Sequence, residues 1–197
     1  MERDVREIKG NPNGFKQCTN NPEIYFGHRT YGICSARVQT FGSGRKLFMG
    51  GYGSVAGQLN IMLGGNHNTK WASTFPFSID EGSPYQSGYG EAGNKGDILI
   101  GNDVWIGEDV QIFSGVTIGH GSVIGSRAVI AKDIEDYSIV IGNPQVVIRK
   151  RFNDHQIKKL LELKWWDLED KILSPLIPIM CKDNNIDEFI KQLELIK

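Results

Sequence analysis

Residues 100–135 read IGNDVWIGEDVQIFSGVTIGHGSVIGSRAVIAKDIE, and they divide into six consecutive groups of six residues. Each group begins with an isoleucine, and these are Ile100, Ile106, Ile112, Ile118, Ile124 and Ile130. A second apolar or small side chain follows four residues later, as Val104, Val110, Val116, Ser122, Ala128 and Ile134. A period of six fits neither an amphipathic helix nor an alternating strand, but it is typical of a solenoid of short strands.

Each group of six supplies one short strand and one turn, so three groups close one triangular coil. The isoleucines then point to the axis, where each stacks on the isoleucine one coil away, at about 4.8 Å. Turn positions hold pairs such as Asn102 with Asp103 and Ser114 with Gly115. Asn, Asp and Gly tolerate the positive φ of tight turns. We therefore predict an all-β solenoid whose body is a parallel β-helix.

An interruption divides this solenoid. Met49, Val55 and Ile61 form an earlier tract in phase with one another, but Ile61 and Ile100 are 39 residues apart, which is not a multiple of six. We expect an excursion loop at about 64–97, and a loop of this length in a compact domain is usually functional or disordered. The expected organisation is an irregular lead-in over 1–30, the β-helix over 31–148 and a C-terminal helical tail over 149–197.

The tail carries helix signals that do not follow the period of six. Asn153 with Gln156 predicts a capped helix start, and a last helix is expected over about 186–196. Trp165 and Trp166 are expected to pack this tail against the coil or a neighbouring subunit.

Composition excludes several classes of protein. The formal net charge of the 197 residues is −1, which argues against a nucleic-acid binder. Cys18, Cys34 and Cys181 show neither zinc-ligand spacing nor a disulfide framework, so we expect reduced thiols in a cytoplasmic protein. The N-terminus is too polar for a signal peptide, and we expect no membrane span.

Three strings resemble one branch of a known family: LGGNHNTKWASTFPF at 63–77, KGDILIGNDVWIG at 95–107 and IGNPQVVIRKRF at 141–152. They are similar to the xenobiotic and polysaccharide O-acetyltransferases, which resemble type B chloramphenicol acetyltransferases, of the hexapeptide-repeat family. The resemblance implies a left-handed coil, a homotrimer with active sites between subunits, and acetyl transfer from acetyl-CoA to a hydroxyl.

The resemblance further implies that His67 is the catalytic general base. An imidazole suits this task because its ordinary pKa lies near working pH. The group that orients the second ring nitrogen stays open at this stage: a backbone carbonyl, Asp80, Glu81 or Glu91 would serve. For the other histidines, His28, His120 and His155, we expect no chemical role, and we expect His120 to be exposed.

Other positions match the family's acetyl-CoA contacts. They are Trp105, Ser126, Ala131, Lys132 and Arg149, and Lys150 extends their cationic end. Trp105 has a second interpretation, as an outward side chain buried between subunits. Val146 departs from family members that carry another arginine there, so phosphate binding is expected to shift to Lys150 or Arg151.

The sequence leaves more than one class of acceptor open. Asp80, Glu81, Tyr85 and Tyr89 in the excursion would suit a sugar, since rings cover its apolar faces and carboxylates accept its hydroxyls. We therefore favour a saccharide hydroxyl of a surface polysaccharide or its precursor, with an antibiotic such as chloramphenicol or a streptogramin as the alternative. A non-catalytic trimeric scaffold is a further alternative. A β-helical carbonic anhydrase is disfavoured because the histidines lack zinc-ligand spacing.

Overall fold

Fourteen short strands build the coil in the computed structural model, which describes residues 14–77 and 93–196. In chain order they are β1 (Lys16–Gln17), β2 (Ile24–Phe26), β3 (Arg37–Gln39), β4 (Leu47–Met49), β5 (Ser54–Val55), β6 (Asn60–Met62), β7 (Ile98–Ile100), β8 (Trp105–Ile106), β9 (Gln111–Phe113), β10 (Thr117–Ile118), β11 (Val123–Ile124), β12 (Val129–Ile130), β13 (Ser138–Ile141) and β14 (Val146–Lys150).

The strands form three walls of a triangular coil. The first wall has the order β1-β2-β4-β7-β10, the second β5-β8-β11-β13-β14, and the third β3-β6-β9-β12. Neighbouring strands run parallel, except that β1 with β2 and β13 with β14 are antiparallel at the ends. From β2 to β13, successive strands along the chain therefore belong to different walls, as a solenoid requires.

The register confirms the period of six. Ile118 lies directly beneath Ile100, and the same pairing repeats in the other two walls. All six isoleucines of the repeat are completely buried. Met49 of the earlier tract pairs with Ile100 and is equally buried, so the two tracts form one continuous core. The predicted interruption lies between β6 and β7.

The coil begins earlier in the chain than the sequence predicts. β2 pairs in parallel with β4, and its Ile24 is completely buried, although residues 1–30 were expected to be an irregular lead-in. Tyr31 continues the same coil through a parallel bridge to Ser54. Ile24 pairs with Leu47, 23 residues later, because the first coil carries extra residues at its corners. These insertions hide the period of six.

One expectation about the cysteines is wrong. Cys18 and Cys34 form a disulfide, with their Cα atoms 5.5 Å apart. Their separation of 16 residues resembles no metal or redox motif, but the first coil brings this length of chain back on itself. Cys18 is buried, whereas Cys181 is a free, exposed thiol.

The tail contains four α-helices: α1 (Asp154–Leu163), α2 (Asp170–Leu173), α3 (Ile177–Met180) and α4 (Ile186–Ile196). The predicted cap of α1 is confirmed, because the Asn153 side chain accepts from the Gln156 amide while the Gln156 side chain accepts from the Asn153 amide. The predicted last helix is also confirmed. No helix in the described ranges is long and apolar enough to cross a membrane.

Two tryptophans join the tail to the coil, as predicted. Trp165 and Trp166 are buried, and the ring of Trp165 lies 4.9 Å from that of Tyr52. Trp166 stacks face to face on His120 at 4.8 Å between ring centroids. The expectation that His120 is exposed is therefore wrong, because the tail covers its ring and leaves it half-buried.

Candidate active site

The excursion leaves the coil through a neck closed by backbone hydrogen bonds. The Asn66 amide donates to the Gly93 carbonyl at 3.0 Å, and the Gly93 amide donates back at 2.7 Å. The Asn66 side chain also donates to the hydroxyl of buried Ser114, at 3.3 Å. His67 follows Asn66 directly, so a paired backbone fixes where its side chain leaves the coil.

A glycine in the segment that enters the neck lets the ring of Phe41 pack closely against the backbone. Gly65 has φ +85°, a conformation that L side chains rarely adopt. A Cβ atom there would lie 2.9–3.1 Å from three ring atoms of Phe41, which belongs to the first-coil corner. The aromatic ring therefore rests directly on the backbone two residues before His67, and only glycine leaves room for it.

A backbone carbonyl orients the His67 imidazole. Its Nδ1 lies 2.6 Å from the carbonyl oxygen of Thr74, which can only accept a hydrogen bond. We therefore assign the proton to Nδ1, which leaves the lone pair on Nε2. The side chain is exposed, so Nε2 is accessible to a substrate. Of the orienting groups considered from sequence, Asp80, Glu81 and Glu91 lie outside the described residues.

Two of the residues predicted to contact acetyl-CoA lie on the same edge of the triangular coil as His67. We call this the excursion edge: the corners that follow β6, β9 and β12. The excursion with His67 follows β6, and Ala131 with Lys132 follow β12. Because β6, β9 and β12 are successive neighbours in the third wall, these positions lie two coils apart, about 10 Å along the edge. Lys132 is exposed there.

Gln145, a residue with no predicted role, lies at the end of this edge. Its Oε1 accepts hydrogen bonds from the amides of Ala131, at 2.7 Å, and Lys132, at 3.0 Å. Its Nε2 donates to the Lys132 carbonyl at 3.0 Å. No local pattern indicates this role, since thirteen to fourteen residues separate the partners.

Two other residues predicted to contact acetyl-CoA, Trp105 and Ser126, lie away from the excursion edge. Trp105 projects from β8 in the second wall and is 57% exposed. Ser126 occupies the corner after β11, where its hydroxyl accepts from the Glu108 amide at 3.2 Å. A single chain therefore does not bring these two residues to the excursion edge.

The predicted phosphate-binding cations have different surroundings. The ammonium of Lys150 lies 2.9 Å from Glu135 and donates to the Asp136 carbonyl at 2.8 Å, so its charge is already partnered. Arg151 is likewise paired with Asp103 at 2.9 Å. Arg149 is exposed and donates to the Lys150 carbonyl. The predicted acceptor residues Asp80, Glu81, Tyr85 and Tyr89 lie outside the described residues.

Comparison with known proteins defines the class. The family model "Bacterial transferase hexapeptide (six repeats)" matches residues 97–132, the tract with the period of six. A chloramphenicol acetyltransferase of Agrobacterium fabrum is 40% identical over 166 residues, covering 81% of this chain and 78% of that protein. The virginiamycin A acetyltransferase of Staphylococcus aureus is 40% identical over 191 residues, covering 90% and 86%. The chain belongs to the hexapeptide-repeat acetyltransferases, whose fold is a left-handed β-helix.

Solved structures agree with this assignment. A hexapeptide-repeat acetyltransferase of Vibrio cholerae, in complex with acetyl-CoA, superimposes with a TM-score of 0.51 at 25% identity, covering 75% of this chain and 74% of that one. The predicted fold, enzyme class and co-substrate are thereby confirmed. Because the relatives are enzymes, the comparisons give no support to the scaffold alternative.

Proposed function

We propose that this enzyme transfers the acetyl group of acetyl-CoA to a hydroxyl of an antibiotic of the chloramphenicol or streptogramin kind. Support comes from the relatives named for these acceptors, one of which aligns with nine-tenths of the chain. The preference drawn from sequence, a saccharide acceptor, is thereby reversed. The observation that carries the chemistry is the His67–Thr74 hydrogen bond, which leaves Nε2 as a proton acceptor.

In the proposed mechanism, His67 Nε2 removes the proton from the acceptor hydroxyl as its oxygen attacks the thioester carbonyl carbon. The Thr74 carbonyl accepts from Nδ1 throughout and stabilises the imidazolium that forms. The tetrahedral intermediate then collapses with cleavage of the carbon–sulfur bond. The departing thiolate takes the proton from the imidazolium, which yields CoA, the acetyl ester and neutral His67.

A second copy of the chain would complete this site. Trp105 lies on the second wall and Ser126 at the corner after β11, both away from the excursion edge, so these predicted contacts would reach that edge from a neighbouring subunit. The exposed rings of Tyr31 and Trp105 both belong to the second wall, and an interface would cover them. We infer a homotrimer with its active sites between subunits.

Within each site, we propose that Ala131 and Lys132 of one subunit line the acetyl-CoA groove. Lys132 and Arg149 are exposed cations suited to phosphates, whereas Lys150 would first have to leave Glu135. We therefore rank Lys132 and Arg149 above Lys150 as phosphate ligands. The acidic and aromatic excursion residues, Asp80 with Glu81 and Tyr85 with Tyr89, remain proposed acceptor contacts.

The test is a thiol-release assay with acetyl-CoA and a panel of chloramphenicol, a streptogramin, free sugars and nucleotide-sugars. We expect activity with an antibiotic and a loss of about 10²–10⁴-fold in His67→Ala, with CoA affinity unchanged. His155→Ala, which removes an exposed histidine of α1, is the matched control and should retain full activity. Full activity in His67→Ala would refute the mechanism, and activity confined to sugars would restore the saccharide interpretation.

A further inference from the structure

We propose that Gln145 is a positioning residue for acetyl-CoA: its carboxamide replaces a missing strand at the end of the excursion edge and holds the Ala131–Lys132 backbone in its receiving conformation. The inference rests on the proposed function, because it assumes that acetyl-CoA lies along this edge. It concerns binding alone, since the Ala131–Lys132 corner that Gln145 holds lies two coils from His67.

In the regular coil, backbone amides of the third wall donate to carbonyls of the next coil. In β9, the Gln111 amide donates to the Ala128 carbonyl one coil further along. In β12, the Val129 amide still finds such a partner, the Gly142 carbonyl, at 3.0 Å. Two residues later the backbone of the next coil is no longer present, because the chain reverses at Gly142–Pro144 and returns as β14. Ala131 meets the Gln145 side chain instead.

A carboxamide is suited to this position because it has the same donor and acceptor as a peptide group. One oxygen accepts from two consecutive amides, and one nitrogen donates to the carbonyl that follows them. Without these bonds, two amides at the end of the wall lose their protein partners and the corner gains conformational freedom. Gln145 thus replaces the constraint that a further coil would have supplied.

The location of this corner connects it to binding. An acetyl-CoA molecule whose thioester reaches His67 extends for the rest of its length along the edge, toward the exposed ammonium of Lys132. A fixed backbone at Lys132 presents that cation to the phosphates at a low entropic cost. A mobile backbone would weaken binding without changing the geometry of the His67–Thr74 pair.

The experiment compares Gln145→Met, which keeps side-chain length but removes the amide, with the wild-type enzyme. Gln192→Met is the matched control, because the Gln192 side-chain amide donates to Glu188 within α4, in the tail. We expect Gln145→Met to raise the Kd for CoA, measured by calorimetry, and the KM for acetyl-CoA by about tenfold. The kcat and the KM for the acceptor should stay at wild-type values, and Gln192→Met should match the wild type throughout.

A folded Gln145→Met enzyme with unchanged or tighter CoA binding would overturn the inference, and tighter binding would show that the side chain competes with CoA. If this variant does not fold, Gln145→Asn gives the same test, because it keeps the amide but is too short to reach both backbone donors. Wild-type protein that binds no CoA would refute the proposed function and with it this inference. If the wild-type protein binds CoA and a folded Gln145 variant binds it equally well, this inference alone is refuted.

Discussion

The substitution Gly65→Ala tests whether the neck of the excursion positions His67. Gly65 has φ +85°, and an added Cβ would lie 2.9 Å from Cε2, 3.0 Å from Cζ and 3.1 Å from Cδ2 of Phe41. Contacts this short require movement of either the ring or the neck. Phe41 is 47% exposed and can rotate outward in part, but the backbone of Gly65 leads within two residues to His67.

Two contributions set the expected magnitude. Placing alanine in a left-handed conformation costs about 1–2 kcal/mol, and forcing the Phe41 ring away from its preferred rotamer adds about 0.5–1.5 kcal/mol. A loss of about 2–3 kcal/mol in a chain of this size lowers Tm by about 4–12 °C. A displacement of the imidazole approaching 1 Å lowers kcat by up to about 10²-fold.

The assay pairs thermal unfolding with steady-state kinetics on the accepted antibiotic. Gly44→Ala is the matched control, because Gly44 has a similar φ of +66° but, within the described part of the chain and apart from its chain neighbours, no atom within 4 Å of the added Cβ. It should show the conformational cost alone, with a wild-type kcat. Gly65→Ala should be less stable than this control and should lose kcat, while the KM for acetyl-CoA stays within about twofold because the Ala131 corner lies about 10 Å away.

Equal stability of the two alanine variants would show that the Phe41 ring yields freely. A wild-type kcat in a destabilised Gly65→Ala enzyme would refute the idea that the neck positions the base.

Three further predictions concern the scaffold. Replacing both Cys18 and Cys34 by serine should destabilise the protein by about 3 kcal/mol, as expected for a loop of this length, and the reductant dependence of Tm should disappear with the disulfide. Arg151→Met should cost about 1–3 kcal/mol, since its partner Asp103 is partly shielded from water. The pKa of Asp103 is raised, mainly by burial, and Arg151 opposes this rise. The ionised Asp103 therefore destabilises the folded state increasingly as the pH rises above 3.8, the ordinary pKa of this group. The free energy of unfolding lost in Arg151→Met should accordingly be larger at pH 7 than at pH 4. Ile112→Ala, at the completely buried axis, should cost about 2–5 kcal/mol in denaturant unfolding.

The body of the fold was predictable because its cause is local and repeated. One side chain in every six points to the axis, so burial of Ile100 through Ile130 appears directly as a period in the sequence. The cap at Asn153 was predictable for the same reason, since both partners lie within one helical turn. Insertions at the corners of the first coil removed this signal, so its start at Ile24 was not predicted.

The sequence by itself determined the solenoid, the position of its interruption and the tail, because each depends on neighbours in the chain or on strict repetition. The candidacy of His67 rested on the resemblance of its surrounding string to a known family. Only the tertiary structure decided that Thr74 orients the imidazole, that Cys18 pairs with Cys34, and that Gln145 closes the end of the excursion edge. These contacts join residues that are seven, sixteen and thirteen to fourteen positions apart, so they follow no common spacing. Which groups meet depends on where the folded chain brings them in space, and no sequence period encodes that.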